Sequence, residues 1–187
     1  MSTAASPPAS SLSRHIGPVV VMGVSGCGKT SVGKLIASYL GHRFIEGDSR
    51  HPAANVEKMT AGVALSDDDR WPWLETLAAE LAAADDTVIS CSALKKSYRD
   101  LFRDRAGKPI TFVFLQGTRT TLASRMNSRK GHYMPPSLLD SQLATLELPT
   151  REGDVVTIEI DQPLERIVSL AMTKLAFMAT RQRMQSR

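Results

Sequence analysis

The sequence predicts an α/β fold: a single doubly wound domain in three α/β/α layers, with a five-stranded parallel sheet and helices on both faces. Three observations predict it. Short apolar, β-branched runs alternate with stretches of helical spacing from Val19 to Thr180. The first run, Val19-Val20-Val21-Met22, feeds Gly23-Val24-Ser25-Gly26-Cys27-Gly28-Lys29-Thr30, which matches Gly-x-x-x-x-Gly-Lys-Thr. The polar clusters all follow strands, so a parallel sheet gathers them on one rim.

In chain order, the first strand is Val19 to Met22. Lys29 to Leu40 places Val32, Leu35, Ile36, Tyr39 and Leu40 at helical spacing. Arg43 to Glu46 is a short second strand running into Gly47-Asp48. Pro52 suits the first turn of a helix over 53–60, and residues 61–65 form a loop. Ser66 with Asp67-Asp68-Asp69 reads as an N-cap and an acidic first turn. The helix it opens runs through Leu74, Leu77, Leu81 and Ala84, with Trp71 and Trp73 straddling Pro72 near its start. Thr87 to Cys91 is the third strand, followed by a helix over 97–105. Ile110 to Leu115 is the fourth, followed by a helix over 118–128 and a break at 129–136. A further helix covers 136–146. Val155 to Ile160 is the fifth strand, and Asp161-Gln162-Pro163 starts a last helix to Thr180. This pattern does not set the order of the strands in the sheet.

The 187 residues suffice for one domain with a full core. The organisation expected is a disordered leader at 1–16, one domain at 17–180 with a lid at 126–140, and a basic tail at 181–187. The leader is rich in Ser, Ala and Pro; an organelle-targeting role is its alternative reading. No apolar run approaches the ~20 residues of a membrane span, so no membrane partner is expected. Cys27 lies in the glycine loop and Cys91 ends a strand, so no disulfide is expected and the setting is a reducing, cytoplasmic one. The net charge of +4 could suit nucleic acid. Yet the excess sits at Arg125, Arg129 and Lys130 and in the tail, and aromatics are only 5%. No nucleic-acid partner is expected.

The Gly-Lys-Thr pattern is a P-loop, placed between strand and helix where its chemistry needs it. Gly23, Gly26 and Gly28 let the backbone approach a phosphate closely. Loop N–H groups and the positive end of the helix dipole face the anion. Lys29 adds a full charge at the β/γ-phosphates, and the Thr30 hydroxyl is the expected Mg²⁺ ligand. This implies a nucleoside triphosphate, not yet what is done with it.

Several rim residues admit two readings. Asp48 is either the carboxylate that orients an acceptor hydroxyl and takes its proton or a helix cap. Glu46 reaches Mg²⁺ through water or simply ends its strand. Asp67-Asp68-Asp69-Arg70 is a dipole-favouring helix start or a rim for a polyhydroxylated substrate. Lys95 holds a substrate anion or is a surface lysine. Arg125 and Arg129, four apart on a helix, belong to a phosphate-closing lid or to a solvated face. Four scattered histidines show no metal-ligand spacing.

The motifs together resemble a known family. Residues 23–30, Glu46-Gly47-Asp48-Ser49-Arg50-His51-Pro52, 55–59, 65–74, 91–100, 129–136, 142–147 and 161–164 are similar to the small P-loop gluconokinases, over about 18–175. The resemblance implies a P-loop kinase fold like that of adenylate and shikimate kinases. It also implies ATP and Mg²⁺ as cofactors, D-gluconate phosphorylated at its 6-hydroxyl, a route into the pentose phosphate or Entner–Doudoroff pathways, and a homodimer. It assigns Gly23, Ser25, Gly26, Cys27, Gly28, Lys29, Thr30, Ser31, Arg125 and Pro163 to the nucleotide. Pro163 would lie against adenine. Lys29, Asp48, Arg125 and Arg129 would be catalytic. Asp48, His51, Lys58, Asp69, Arg70, Ser92, Lys95 and His132 would bind the acceptor. Two departures stand out: Glu46 where members often have Asp, and Cys27 where Ser is usual. Cys27 mainly offers its backbone N–H, with thiol sensitivity as a side effect. The alternatives are a shikimate- or nucleotide-type small-metabolite kinase and a nucleotide-dependent switch. A switch should carry an Asn-Lys-x-Asp segment, and none is present.

Overall fold

A computed structural model describes residues 16–127 and 136–185. Its sheet has five strands: β1 (Val19–Met22), β2 (Arg43–Glu46), β3 (Thr87–Ser90), β4 (Thr111–Gln116) and β5 (Val155–Glu159). All pairings are parallel, in the order β2-β3-β1-β4-β5. The helices are α1 (Lys29–Leu40), α2 (Ala53–Thr60), α3 (Asp67–Ala83), α4 (Lys96–Ala106), α5 (Arg119–Asn127), α6 (Pro136–Thr145) and α7 (Leu164–Gln185). A 3-10 turn over Gly47–Arg50 follows β2.

β1 shows why the strands read as unbroken apolar runs. All four of its residues are buried, because a parallel sheet is covered on both faces. Val19 and Val21 point into one core, with Ile36 and Leu40 of α1 and Ala171 and Leu175 of α7. Val20 and Met22 point into the other, with Leu74 and Leu77 of α3 and Phe102 of α4. The directions of the first three steps across the sheet follow from these faces. With right-handed crossovers, a step through α1 and steps through α3 and α4, on opposite faces, must move opposite ways across the sheet. The chain therefore steps out from β1 to β2, then returns through β3 and passes β1 to reach β4. This puts the reversal at β1, and the crevice at its carboxyl end is where such sheets bind ligands.

The sequence elements recur with ends shifted by a residue or two. The clearest difference is α7, which continues to Gln185 instead of stopping near Thr180. Its buried stripe does stop at Ala179. Beyond it Arg181, Gln182, Arg183 and Met184 are good helix formers with no breaker among them. The basic residues are thus the solvated end of a helix.

Candidate active site

The loop after β1 turns back on itself at Gly23, whose φ is +139°. A Cβ there would stand 2.8 Å from the Leu115 carbonyl oxygen and 2.9 Å from Cys27 Sγ, so only glycine fits. α1 starts at Lys29, directly behind the loop. Lys29 Nζ donates to the Val24 carbonyl at 3.3 Å, curled over the loop it serves. The Thr30 hydroxyl, in the first turn of α1, has no protein partner among the described residues. It is a hydroxyl left over for a ligand.

Asp48 stands on the 3-10 turn beyond β2. That turn is held at Gly47 from both sides: its N–H donates to Ser90 Oγ at 3.2 Å, and its carbonyl accepts from Trp73 Nε1 at 2.8 Å. Ser90 Oγ in turn donates to Glu46, so Glu46 closes the β2–β3 edge in this structure. The Asp48 carboxylate itself forms no hydrogen bond or ion pair among the described residues. Its charge is felt by His51, whose imidazole burial lowers in pKa, opposed by Asp48 and aided by Arg70. The His51 ring stacks on Trp73 with centroids 4.0 Å apart. Asn55 supplies its amide to His51 Nδ1 at 3.3 Å, which suits a neutral ring with the proton on Nε2.

Arg70 completes the opposite wall. Asp67 and Arg70 share a helix face, and Asp67 gathers Lys95 Nζ on both oxygens (2.9 and 2.7 Å) and the Tyr98 hydroxyl at 2.5 Å. The Lys95 and Tyr98 hydrogen bonds hold the Asp67 carboxyl below its usual range. Burial and then Asp67 push Tyr98 up to about 12, so it stays a donor. Arg70 Nη1 lies 3.7 Å from Asp67 and donates to Tyr98 at 3.3 Å. One cleft is lined by Ser25, Lys29, Asp48, His51, Arg70 and Ser92. It sets a phosphate loop, an unpaired carboxylate and a guanidinium around one volume, which is the equipment for moving a phosphoryl group to a hydroxyl on an anionic acceptor.

On the other side of the loop, Arg125 of α5 donates to the Ile160 carbonyl and its Nη1 lies 4.0 Å from where a Gly28 Cβ would be. Pro163 follows Ile160 and heads α7, accepting from Ile167 N at 3.1 Å.

Comparison with known proteins fits this geometry. A sequence model of the shikimate kinase family matches residues 25–165. The thermoresistant gluconokinase of Escherichia coli is 45% identical over 156 residues, 80% of this chain and 88% of that relative. The gluconokinase of Gluconobacter oxydans is 49% identical over 144 residues, 75% of this chain and 80% of that relative. The crystal structure of a gluconokinase from Sinorhizobium meliloti superposes with a TM-score of 0.88 at 50% identity, covering 92% of this chain and 99% of that one.

This chain belongs to the gluconokinase family. The resemblance read from its motifs and the P-loop kinase fold are thereby established. Of the expected site residues, Ser25, Lys29, Asp48, His51, Arg70 and Ser92 line one cleft, Arg125 lies beside Gly28, and Ser31 is exposed in the first turn of α1. Arg129 and His132 lie outside the described residues, as does most of the lid expected at 126–140. Lys58, Asp69 and Lys95 are engaged with other protein side chains. Asp69 is the third helical residue of a capping box with Ser66 and accepts from Lys58 Nζ at 2.6 Å; neither residue lines the cleft. Lys95 points its ammonium at Asp67, and the cations lining the cleft are Lys29 of the phosphate loop and Arg70 of α3. Cys27 is fully buried, and burial raises its thiol pKa against the opposing charges of Lys29 and Arg125. Thiol sensitivity is therefore not expected of the folded protein.

Sequence reading missed Trp73 and Gln142 as site residues, and weighed Asp67 only as part of the acidic run. The spacing Ser66-x-x-Asp69 was the available signal that Asp69 caps, leaving Asp67 and Arg70 as the pair facing α4. Trp73 and Gln142 act across 26 and 117 residues of chain, and no local pattern reports that.

Proposed function

We propose that the protein is a gluconokinase, transferring the γ-phosphoryl group of ATP to the 6-hydroxyl of D-gluconate with Mg²⁺. The observation that carries this reading is one cleft lined together by Lys29, by Asp48, whose carboxylate has no partner among the described residues, and by Arg70. Loop N–H groups and Lys29 hold the phosphates, and the partner-free Thr30 hydroxyl is the protein's ligand for Mg²⁺. Asp48 orients the acceptor hydroxyl and accepts its proton. Arg70 pairs with the carboxylate of the acid. Arg125, and Arg129 with it, balance charge on the transferring group, and Pro163 lies beside the base. Names of relatives such as the E. coli and G. oxydans enzymes favour gluconate among hydroxy acids. The same reading makes the protein a cytoplasmic homodimer, which sedimentation of the pure protein tests.

The test is ATP consumption with Mg²⁺ and, side by side, gluconate, shikimate, AMP and neutral sugars. Turnover with gluconate alone supports the proposal. Turnover with shikimate instead would favour the second reading, which the matching shikimate kinase family model keeps open. Lys29→Ala should lose turnover by about 10²-fold or more with its fold intact. Asp48→Asn should lose about 10²–10⁴-fold in kcat with ATP affinity little changed. Unaltered turnover in Asp48→Asn removes it from the mechanism.

A further inference from the structure

Gln142 sits on α6, a helix that the chemistry above leaves without a role. Its Oε1 accepts a hydrogen bond of 2.7 Å from the backbone N–H of Ser25 in the phosphate loop. The side chain also lines the cleft shared with Asp48, Arg70 and Ser92. A backbone N–H can only donate, so the loop dictates which way the carboxamide is turned. The oxygen must face Ser25, and the NH₂ must face away from it. That NH₂ has no hydrogen-bond partner among the described residues. Two oriented donors are thus left at the junction of phosphate loop and acceptor cleft.

The helix that holds Gln142 is fixed at its foot. Leu146 N donates to the Gln142 carbonyl at 3.0 Å. The next residue, Glu147, is bound three ways to the β3–α4 connection that supplies Ser92 and to the first turn of α4 behind it. Its N–H donates to the Leu94 carbonyl at 2.9 Å. Its carboxylate accepts from Lys96 N at 2.7 Å, and its carbonyl accepts from Arg99 at 3.1 Å. The donors are therefore placed relative to both walls of the cleft.

We propose that Gln142 is a specificity-determining residue: its NH₂, oriented by the Ser25 N–H, donates to a hydroxyl oxygen at the reacting end of a polyhydroxylated acceptor. This rests on the kinase reading above. An acceptor lacking that oxygen leaves the donors unpaired, which is how a polar site discriminates.

Two variants separate this role from simple anchoring of α6. Gln142→Ala removes both anchor and donors. Gln142→Glu keeps an oxygen for Ser25 N–H but replaces the donors by an acceptor. Steady-state kinetics would use whichever acceptor the wild-type protein phosphorylates, so failure of gluconate as substrate and failure of Gln142 are read separately. ADP affinity, titrated without acceptor, is the second readout. The expected result is kcat/KM for the acceptor lower by about tenfold in Gln142→Ala, the size of a lost hydrogen bond. It should be lower still in Gln142→Glu, with ADP affinity in Gln142→Ala changed less than threefold. Recovery of acceptor kinetics in Gln142→Glu would show anchoring alone and overturn the proposal. So would equal losses of ADP and acceptor binding in Gln142→Ala. A wild-type protein that phosphorylates no polyhydroxylated acid overturns it together with the kinase reading.

Discussion

At the scale of the residue, the departure at Cys27 shows how position outranks chemistry. A cysteine in a phosphate loop beside a lysine suggests a reactive thiolate, since a nearby cation lowers thiol pKa. Here burial wins. The side chain is fully covered, and its sulfur lies where a Gly23 Cβ would touch it. The thiol is raised in pKa, with Lys29 and Arg125 opposing but not reversing the shift. What the loop uses at this position is the backbone. Cys27→Ser should therefore keep kcat and KM for ATP within about threefold, the sulfur contributing packing rather than chemistry. A thiol reagent at neutral pH should label neither Cys27 nor Cys91 until denaturant is added. Rapid labelling of native protein with matching loss of activity would show that the loop opens far more readily than its packing implies.

At the scale of the element, the β3–α4 connection is the part of the site that sequence could least specify. It contains Ala93 at φ +42°, a left-handed conformation unusual for a residue with a Cβ. Arg99, from the first turns of α4, holds the strained segment in place. Its Nη1 donates to the Ala93 and Leu94 carbonyls at 2.9 and 3.1 Å, and its Nη2 to the Glu147 carbonyl at 3.1 Å. The guanidinium is buried at 1% side-chain exposure and pairs with Glu152, itself 9% exposed. Burial tends to raise Glu152, but Arg99 and Arg103 outweigh it and hold the carboxyl below its usual range. Arg99→Met would leave a buried carboxylate and three carbonyls short of a partner. Loss of one partner of a buried ion pair costs about 3–5 kcal/mol. A drop of that size in denaturant unfolding is expected, with acceptor KM rising as Ser92 and Glu147 lose their setting. A loss under about 1 kcal/mol would mean Arg103 replaces it. By contrast the glycine loop and α3's cap were legible from spacing alone, because a short local pattern of residue types marks each of them.

At the scale of the whole molecule, the fold was legible because each strand and helix advertises its period. The strand order was not, because many orders satisfy the same alternation; the directions of its first steps emerge only when α1 takes one face and α3 and α4 the other. Stability against pH is another property that belongs to the entire chain. Burial holds the His42 and His51 imidazoles below their ordinary pKa, with Asp86 and Asp48 opposing in turn. Folding thus favours the neutral rings, and the unfolded chain takes up protons first. Stability must then fall as pH drops from about 6.5. A second loss sets in around pH 4. There Asp67, held down by Lys95, and Asp69, held at about 2 by Lys58 and Ser66, protonate in the unfolded chain before the folded one. On the alkaline side the signs reverse. Burial pushes Cys91 and Tyr98 up to about 12, so the folded state keeps protons that the unfolded chain gives up from about pH 9. The thermal midpoint should therefore be highest between about pH 7 and 8.5 and fall in two acid stages. The double variant His42→Asn, His51→Asn should lose the first stage and keep the second, as read by scanning calorimetry from pH 8 to 4. A wild-type midpoint that stays level down to pH 5 would show that neither imidazole is held neutral by the fold.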